Sequence, residues 1–493
     1  MGPRSSITAG KVELDDIQGI LRSGYSTLTE AVFLVLAVAD VAAAKEWLAT
    51  APVTSAAFGE KLSTALHVAL TAGGLRRIGL SNEALETFPA EFLAGMSGDE
   101  SRARRLGDVG SSAPSSWAWG DAPDSTLDAI VILYAESGTL ADWRRTIETA
   151  GFAAGFRLVQ ELRTGIMDGY EPFGFPDGLS QPEIDWHQRQ ARDRRDEYRY
   201  RNTIAPGEFV LGYTNEYGLV SDRPFVSADA DPAGLLRSFA GDSRRDLGGN
   251  GSYLVIRQLE QDVQGFWQYL EKVAGPGDAA TRLAERMVGR TRAGAPLAPV
   301  RISDTAASSA EKQALNDFDF DDDPEGRACP LGAHIRRANP RNADVPGGRQ
   351  NWLWRLLRLL GLPRPGPRSD VIASSRFHRI LRRGRKYAPS AATGDVSNGL
   401  YFVCLNANIG RQFEFIQNAW LESSKFDGLT GESDPLVGSR APLRDGSRTD
   451  GFTCQKDGAP CRIEGMPAFV TVRGGAYFFL PGLRALRYLA SLP

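Results

Sequence analysis

The stretch FGFPDGLSQP, residues 173–182, sets Asp177 between Gly174 and Gly178 with Pro176 before it. Glycine and proline bend a chain tightly, so Asp177 is either an ordinary turn residue or a carboxylate aimed at something. An aimed carboxylate can accept and return a proton. Histidine is scarce, with only His67, His187, His334 and His378, too few for a crowded metal site. His67 lies in an apolar pattern and is expected to be a hydrogen-bonded core residue, and His187 in a charged connection is expected to be solvated. His334 differs. In CPLGAHIRRANPR it follows Gly332, which allows close backbone approach, and Arg336, Arg337 and Arg341 gather cations around one imidazole. That set suits an anionic planar ligand such as haem. A single imidazole has no diagnostic partner spacing, so a structural histidine stays open beside it.

These residues need elements to hold them. The apolar run Ala31 to Ala39 predicts a buried strand, too short before Asp40 to cross a bilayer. The pattern in EKLSTALHVALTAGGLRRIGL predicts a helix ending at a glycine stop, and LDAIVILYA from Leu127 a second strand. GSYLVIRQLEQDVQGFWQYLEKV opens a new strand and helix at Gly251, so the order recurs. AFVTVRGGAYFFLPGL reads as strand, turn and strand, and LRALRYLASLP as a closing helix. The charged segment around 185–205 reads as a surface connection, which places the boundary between two α+β units near residue 215: residues 1–215 and 216–493.

A chain of 493 residues accommodates two such units, and a net charge of −3 with 42% apolar residues points to neither nucleic acid nor membrane. The N-terminus carries no secretory or twin-arginine pattern, so cytoplasmic residence is expected. The four cysteines form no CxxC pair. One region departs from the average. Residues 341–386 hold twelve Lys or Arg against Asp344 and Asp370. Within it NWLWRLLRLLGLPRPGP could form a basic amphipathic helix. Packing on the protein or on a partner subunit is the preferred reading, and membrane contact at 351–360 is not expected.

GFPDG, CPLGAHIRRANPR, RILRRGRKY and GLYFVCLNANIGRQFEFIQNAW, in this order, resemble the dye-decolorising peroxidase family, from about Asp15 to the end, in its longer form. GxxDG alone is weak. Its co-occurrence with the His334 and Arg382 blocks is specific. The resemblance implies an α+β fold of two ferredoxin-like domains of the dimeric α+β barrel type, each an antiparallel sheet with peripheral helices. The first would carry the distal loop and the second the haem. It also implies one non-covalent haem b per chain, in a monomer or homodimer, and a peroxidase that reduces hydrogen peroxide through a ferryl intermediate. The electron donors would be dyes, phenols and similar small molecules.

Residue by residue, the proximal iron ligand would fall on His334 with Arg336 beside the cofactor, the distal aspartate on Asp177, and the distal arginine on Arg382, with Arg383 as the neighbour it could be confused with. Leu400 and Phe402 would line the distal face. Glu414 is the expected acid partner of His334, since a carboxylate on the second ring nitrogen strengthens the imidazole as an electron donor. Tyr387, and after it Trp420, are candidates for passing electrons at the surface. A carboxylate base remains competent in acid where a histidine would be protonated, so an acidic optimum is expected. A non-catalytic haem-binding protein of the same fold is the alternative. It would have no need of Asp177 and Arg382 together.

Overall fold

The computed structural model describes residues 11–59, 61–120, 127–165, 167–188, 202–238, 243–299, 315–341, 375–387 and 398–493. The charged segment 189–201 and the Trp- and Leu-rich stretch 351–368 lie outside the described residues. The apolar runs become β1 (Glu30–Val38), β2 (Thr64–Leu70), β3 (Ala129–Ala135), β4 (Phe156–Arg163), β5 (Ser252–Gln261), β6 (Leu381–Arg382), β7 (Arg385–Lys386), β8 (Asn398–Asn406) and β9 (Val470–Leu480). Their order in one sheet is β6-β8-β5-β9-β2-β3-β1-β4, with β7 also on β8. Each half therefore has the same order, with its first and third strands central, which is the ferredoxin-like arrangement.

The halves join at both edges. Phe479 of β9 pairs with Leu70 of β2. At the far edge Thr164 bridges Tyr387, and the Gly165 N–H donates to the Lys386 carbonyl at 2.8 Å. A sheet joined at both ends encloses an interior. Phe33, Val35, Ile132, Leu254, Ile256, Tyr401, Val403 and Phe478 pack there in one buried cluster. The alternate residues, including Leu34, Val131, Leu133, Val255 and Phe479, belong to the cluster on the outer face. Side chains alternate along a strand, so strands buried on both faces must be apolar throughout. That is why these segments read as unbroken hydrophobic runs.

The same double burial explains two departures from expectation. Thr64–Leu70 is strand β2, with helix only at Ala72–Arg77, because a short all-apolar run carries no periodicity to separate helix from strand. Val470–Leu480 is one strand, not two. Its register with β5 slips between Gln258 and Leu259. The glycine there serves close packing rather than a turn, since a Cβ on Gly474 would run into the indole nitrogen of Trp119. Among the described residues no helix is long and apolar enough to cross a membrane.

His67 points into the interior with no exposed surface. Its Nε2 is 3.0 Å from the Tyr25 hydroxyl, and Nδ1 has no partner. Burial pushes its pKa down from 6.5 to about 3. Between those values the unfolded chain binds a proton that the folded chain refuses, so stability falls as pH drops from 6.5 toward 3. The slope reaches at most about 1.4 kcal/mol per pH unit. Urea midpoints measured between pH 7 and pH 4 should fall less steeply for His67→Phe than for the wild type, and parallel curves would refute this account.

Candidate active site

The loop that carries Asp177 is built by its own sequence. Gly174 N–H donates to the Glu171 carbonyl and Glu171 N–H to the Phe175 carbonyl, both at 2.9 Å, while Gly174 and Gly178 take φ of 94° and 77°. Only glycine adopts such angles without strain. Phe173 and Phe175 anchor the loop in a buried cluster. The Glu171 carboxylate accepts from Phe175 N (2.8 Å), Phe173 N (2.9 Å) and Gln261 Nε2 (2.9 Å). Burial raises the pKa of Glu171 despite those donors, and the charge of Asp177 adds to the rise.

Asp177 thereby faces Arg382. Arg382 Nη1 lies 3.7 Å from Asp177 Oδ1, with each side chain 32% exposed. The loop also fixes the arginine: Arg382 N–H donates to Gln181 Oε1 at 3.0 Å and Nη2 to the Ser180 carbonyl at 3.4 Å. Arg383 turns elsewhere, donating from Nε to Ile20 O at 2.8 Å, and burial pushes its pKa down to about 10.

Both Asp177 and Arg382 line a cavity of about 410 Å³ on the outer face of the second half-sheet. Register explains its wall: Phe402 pairs with Arg257 and Leu400 with Leu259, and Leu259 with Val472. All five line the cavity, while Tyr401 and Val403 between them face the interior. The segments Gly410–Glu414 and Ile416–Leu421, wound as π-helix, add Phe413, Ile416 and Trp420.

His334 opens a short helix, His334–Ala338, and lines the same cavity. Its Nδ1 lies 3.0 Å from Asp434 Oδ2. An ionised carboxylate can only accept, so Nδ1–H is the donor and Nε2 is the ring nitrogen left for another partner. Asp434 has no exposed surface, and its other oxygen accepts from Leu436 N (2.9 Å) and Val437 N (3.0 Å). Burial would raise its pKa, but His334, the Val437 N–H and Arg337 outweigh burial and hold it below the usual carboxylate range.

Several expectations are corrected here. The carboxylate on His334 is Asp434, not Glu414. Glu414 Oε1 accepts from Arg102 Nη1 at 3.1 Å and from the Tyr477 hydroxyl at 3.0 Å. Arg336 does not line the cavity. Two positions along the helix it faces away, donating from Nη1 to Asp323 O (3.0 Å) and Cys329 O (3.1 Å), with its guanidinium over Phe320. Arg341 does reach the cavity. Tyr387 and Trp420 are 8% and 3% exposed, so neither presents a surface. Tyr387 packs on Tyr401 at 5.0 Å. His187 is exposed. Asp434 escaped sequence reasoning because a hundred residues separate it from His334 and SDP is an ordinary turn sequence. The Glu171 signal was nearer, in a carboxylate two and four residues before the amides it holds.

The cavity fits a planar dianion. Among the described residues six arginines, Arg257, Arg290, Arg341, Arg379, Arg382 and Arg440, line it against two carboxylates, Glu171 and Asp177, and the remaining wall is largely apolar. Among the same residues no three His, Cys, Asp or Glu gather as a metal cage. A metal at His334 Nε2 would have to arrive with its other ligands, as iron does in a porphyrin.

No protein-family profile matches the chain. Individual relatives do. The dye-decolorizing peroxidase msp1 of Mycetinis scorodonius is 28% identical over 509 residues, covering 99% of this chain and 90% of that protein. The multifunctional dye peroxidase DyP2 of Amycolatopsis is 29% identical over 86% of this chain and 82% of its own. Among solved structures, the fungal DyP-type peroxidase from Auricularia auricula-judae superposes with a TM-score of 0.71 at 25% identity, covering 98% of this chain and all of that one. The fold is that of dye-decolorizing peroxidases, and the sequence relatives are peroxidases of that type. The chain is long, like the fungal members, and such peroxidases are haem enzymes.

Asp434→Asn keeps an acceptor for His334 but removes the charge. Haem titrated into the apoprotein should bind roughly 10- to 100-fold more weakly. An unchanged affinity would mean that something else orients the imidazole.

Proposed function

We propose that the chain is a haem b peroxidase, one non-covalent group per chain, that reduces hydrogen peroxide and oxidises dyes, phenols and similar donors, with His334 as iron ligand and Asp177 and Arg382 as the peroxide-handling pair. The observation that carries this reading is that the Asp177 carboxylate, the Arg382 guanidinium and the His334 imidazole braced by Asp434 open onto one arginine-rich cavity. Residues 1–215 and 216–493 are taken as its two domains, each holding one of the repeated strand orders.

Haem supplies, when bound, an iron that takes up the oxidising equivalents of peroxide and passes them on one electron at a time. The protein supplies the rest. His334 Nε2 would hold the iron, and Asp434 would keep the ring oriented and electron-rich. Asp177 takes the proton from one peroxide oxygen and delivers it to the other, so that water can leave. A guanidinium stays charged at any working pH, so Arg382 holds the negative charge as the O–O bond separates. Leu400 and Phe402 restrict that space to small peroxides, and arginines such as Arg341 and Arg379 would meet the carboxylates of the porphyrin.

The related peroxidases do not favour the non-catalytic alternative. Stopped-flow spectroscopy with one equivalent of peroxide separates the two. The haem-loaded wild type should change spectrum rapidly, Asp177→Asn roughly 10²–10⁴-fold more slowly, and Arg382→Leu roughly 10²–10³-fold more slowly. A ferric spectrum unmoved by peroxide in the wild type would sink the peroxidase reading.

A further inference from the structure

Cys454 and Cys461 end two short strands, Phe452–Cys454 and Cys461–Ile463, in which they stand directly opposite each other. Directly opposed residues in an antiparallel pair have Cα atoms about 4.5–5.5 Å apart and side chains on one face. A disulfide spans Cα separations of about 4.4–6.8 Å. Both thiols are free, Cys454 buried and Cys461 exposed, while Cys329 and Cys404 are buried. Cys461 is thus the one thiol open to a solute, and it has a second thiol facing it.

The hairpin grips both sides of the candidate iron site. Thr453 N–H and Arg462 Nη1 donate to the two oxygens of Glu432 at 3.1 and 3.0 Å, and Glu432 is buried two residues before Asp434. Gln455 Oε1 accepts from Leu331 N at 3.2 Å, three residues before His334. Arg286 Nη2 donates to the Gln455 carbonyl at 3.2 Å, fastening the hairpin from behind. Each cysteine is therefore a chain neighbour of residues that hold the loops of His334 and Asp434.

We propose that Cys454 and Cys461 form an oxidative modification site: hydrogen peroxide closes them into a disulfide that staples the hairpin clamping the His334 and Asp434 loops. The Cys461 thiolate attacks one peroxide oxygen, giving a sulfenic acid and hydroxide. The Cys454 sulfur then attacks the Cys461 sulfur, the S–S bond forms and the sulfenic oxygen leaves as water. The two thiols lose two electrons and two hydrogens, and one peroxide becomes two waters. The source of peroxide and the clamp's purpose rest on the proposed function, whereas the ability of the pair to close does not.

The test treats haem-free and haem-loaded protein with diamide or with a small excess of peroxide, alkylates remaining thiols, and maps tryptic peptides without reduction. Lys456 lies between the two cysteines, so trypsin separates them unless a disulfide joins the fragments. Joined fragments should appear with both oxidants in wild type and with neither in Cys461→Ser, and oxidised wild type should pass haem to an acceptor apoprotein several-fold more slowly than reduced. Two alkylated cysteines after diamide would overturn the pair. Closure by diamide with only sulfinate at Cys461 after peroxide would overturn the peroxide step, and closure without slower haem release would overturn the clamp. Because the haem-free arms need no peroxidase activity, failure of the pair is read separately from failure of the peroxidase reading.

Discussion

The site depends on a carboxylate with no exposed surface, Asp434. An ionised carboxylate in such a place is costly unless its oxygens are all engaged and cations stand near. Here the imidazole of His334 takes one oxygen and the amides of Leu436 and Val437 the other. Arg337, wholly buried, adds positive charge while donating to the carbonyls of Trp420 (2.7 Å) and Glu432 (2.8 Å). The π-helix that walls the cavity, the His334 helix and the Asp434 loop are thus tied through one guanidinium. Arg440 donates to the Asp434 carbonyl at 2.8 Å from the cavity side. Removing the charge would leave these cations unbalanced.

Around that charge the barrel acts as a scaffold with two uses. Its interior is packed shut by both halves, which leaves the outer face of the second half to present side chains. The alternation of β8 assigns Tyr401 and Val403 to packing and Leu400 and Phe402 to the cavity. A one-residue slip would exchange the two sets. Nine consecutive pairs between β8 and β5 hold that register without a bulge, and the slip that does occur, between β5 and β9, lies beyond the stretch where Phe402 faces Arg257.

The sequence announced what is local or lexical. GFPDG could be read because glycines and a carboxylate within a few residues form the loop themselves, and Arg382 and His334 could be read because their neighbours spell recognisable blocks. Strands β1, β3 and β5 were legible as apolar runs. What failed to show depends on contacts far apart in the chain. Asp434 reaches His334 only through the fold, and Glu414, which lies closer to His334 along the chain, spends its charge on Arg102 and Tyr477 instead. Arg336 looked like a ligand cation because helix rotation is invisible until the helix is placed. Tyr387 and Trp420 carried no sign of burial, since an aromatic suits a core and a surface equally.

The two aspartates show why composition could not have assigned roles. Asp434 is sealed, its oxygens filled by fixed donors and its pKa held low, so it can orient an imidazole but presents no surface to a solute. Asp177 is one-third exposed and lines the cavity. One of its oxygens takes the Gly178 amide at 2.6 Å, and Arg382 stands at 3.7 Å, beyond direct hydrogen-bonding distance. A carboxylate so placed keeps an oxygen available and a cation near enough to share a third molecule. The same functional group thus becomes a brace in one environment and, in the function proposed, a proton carrier in the other, and burial with fixed donors is what separates them.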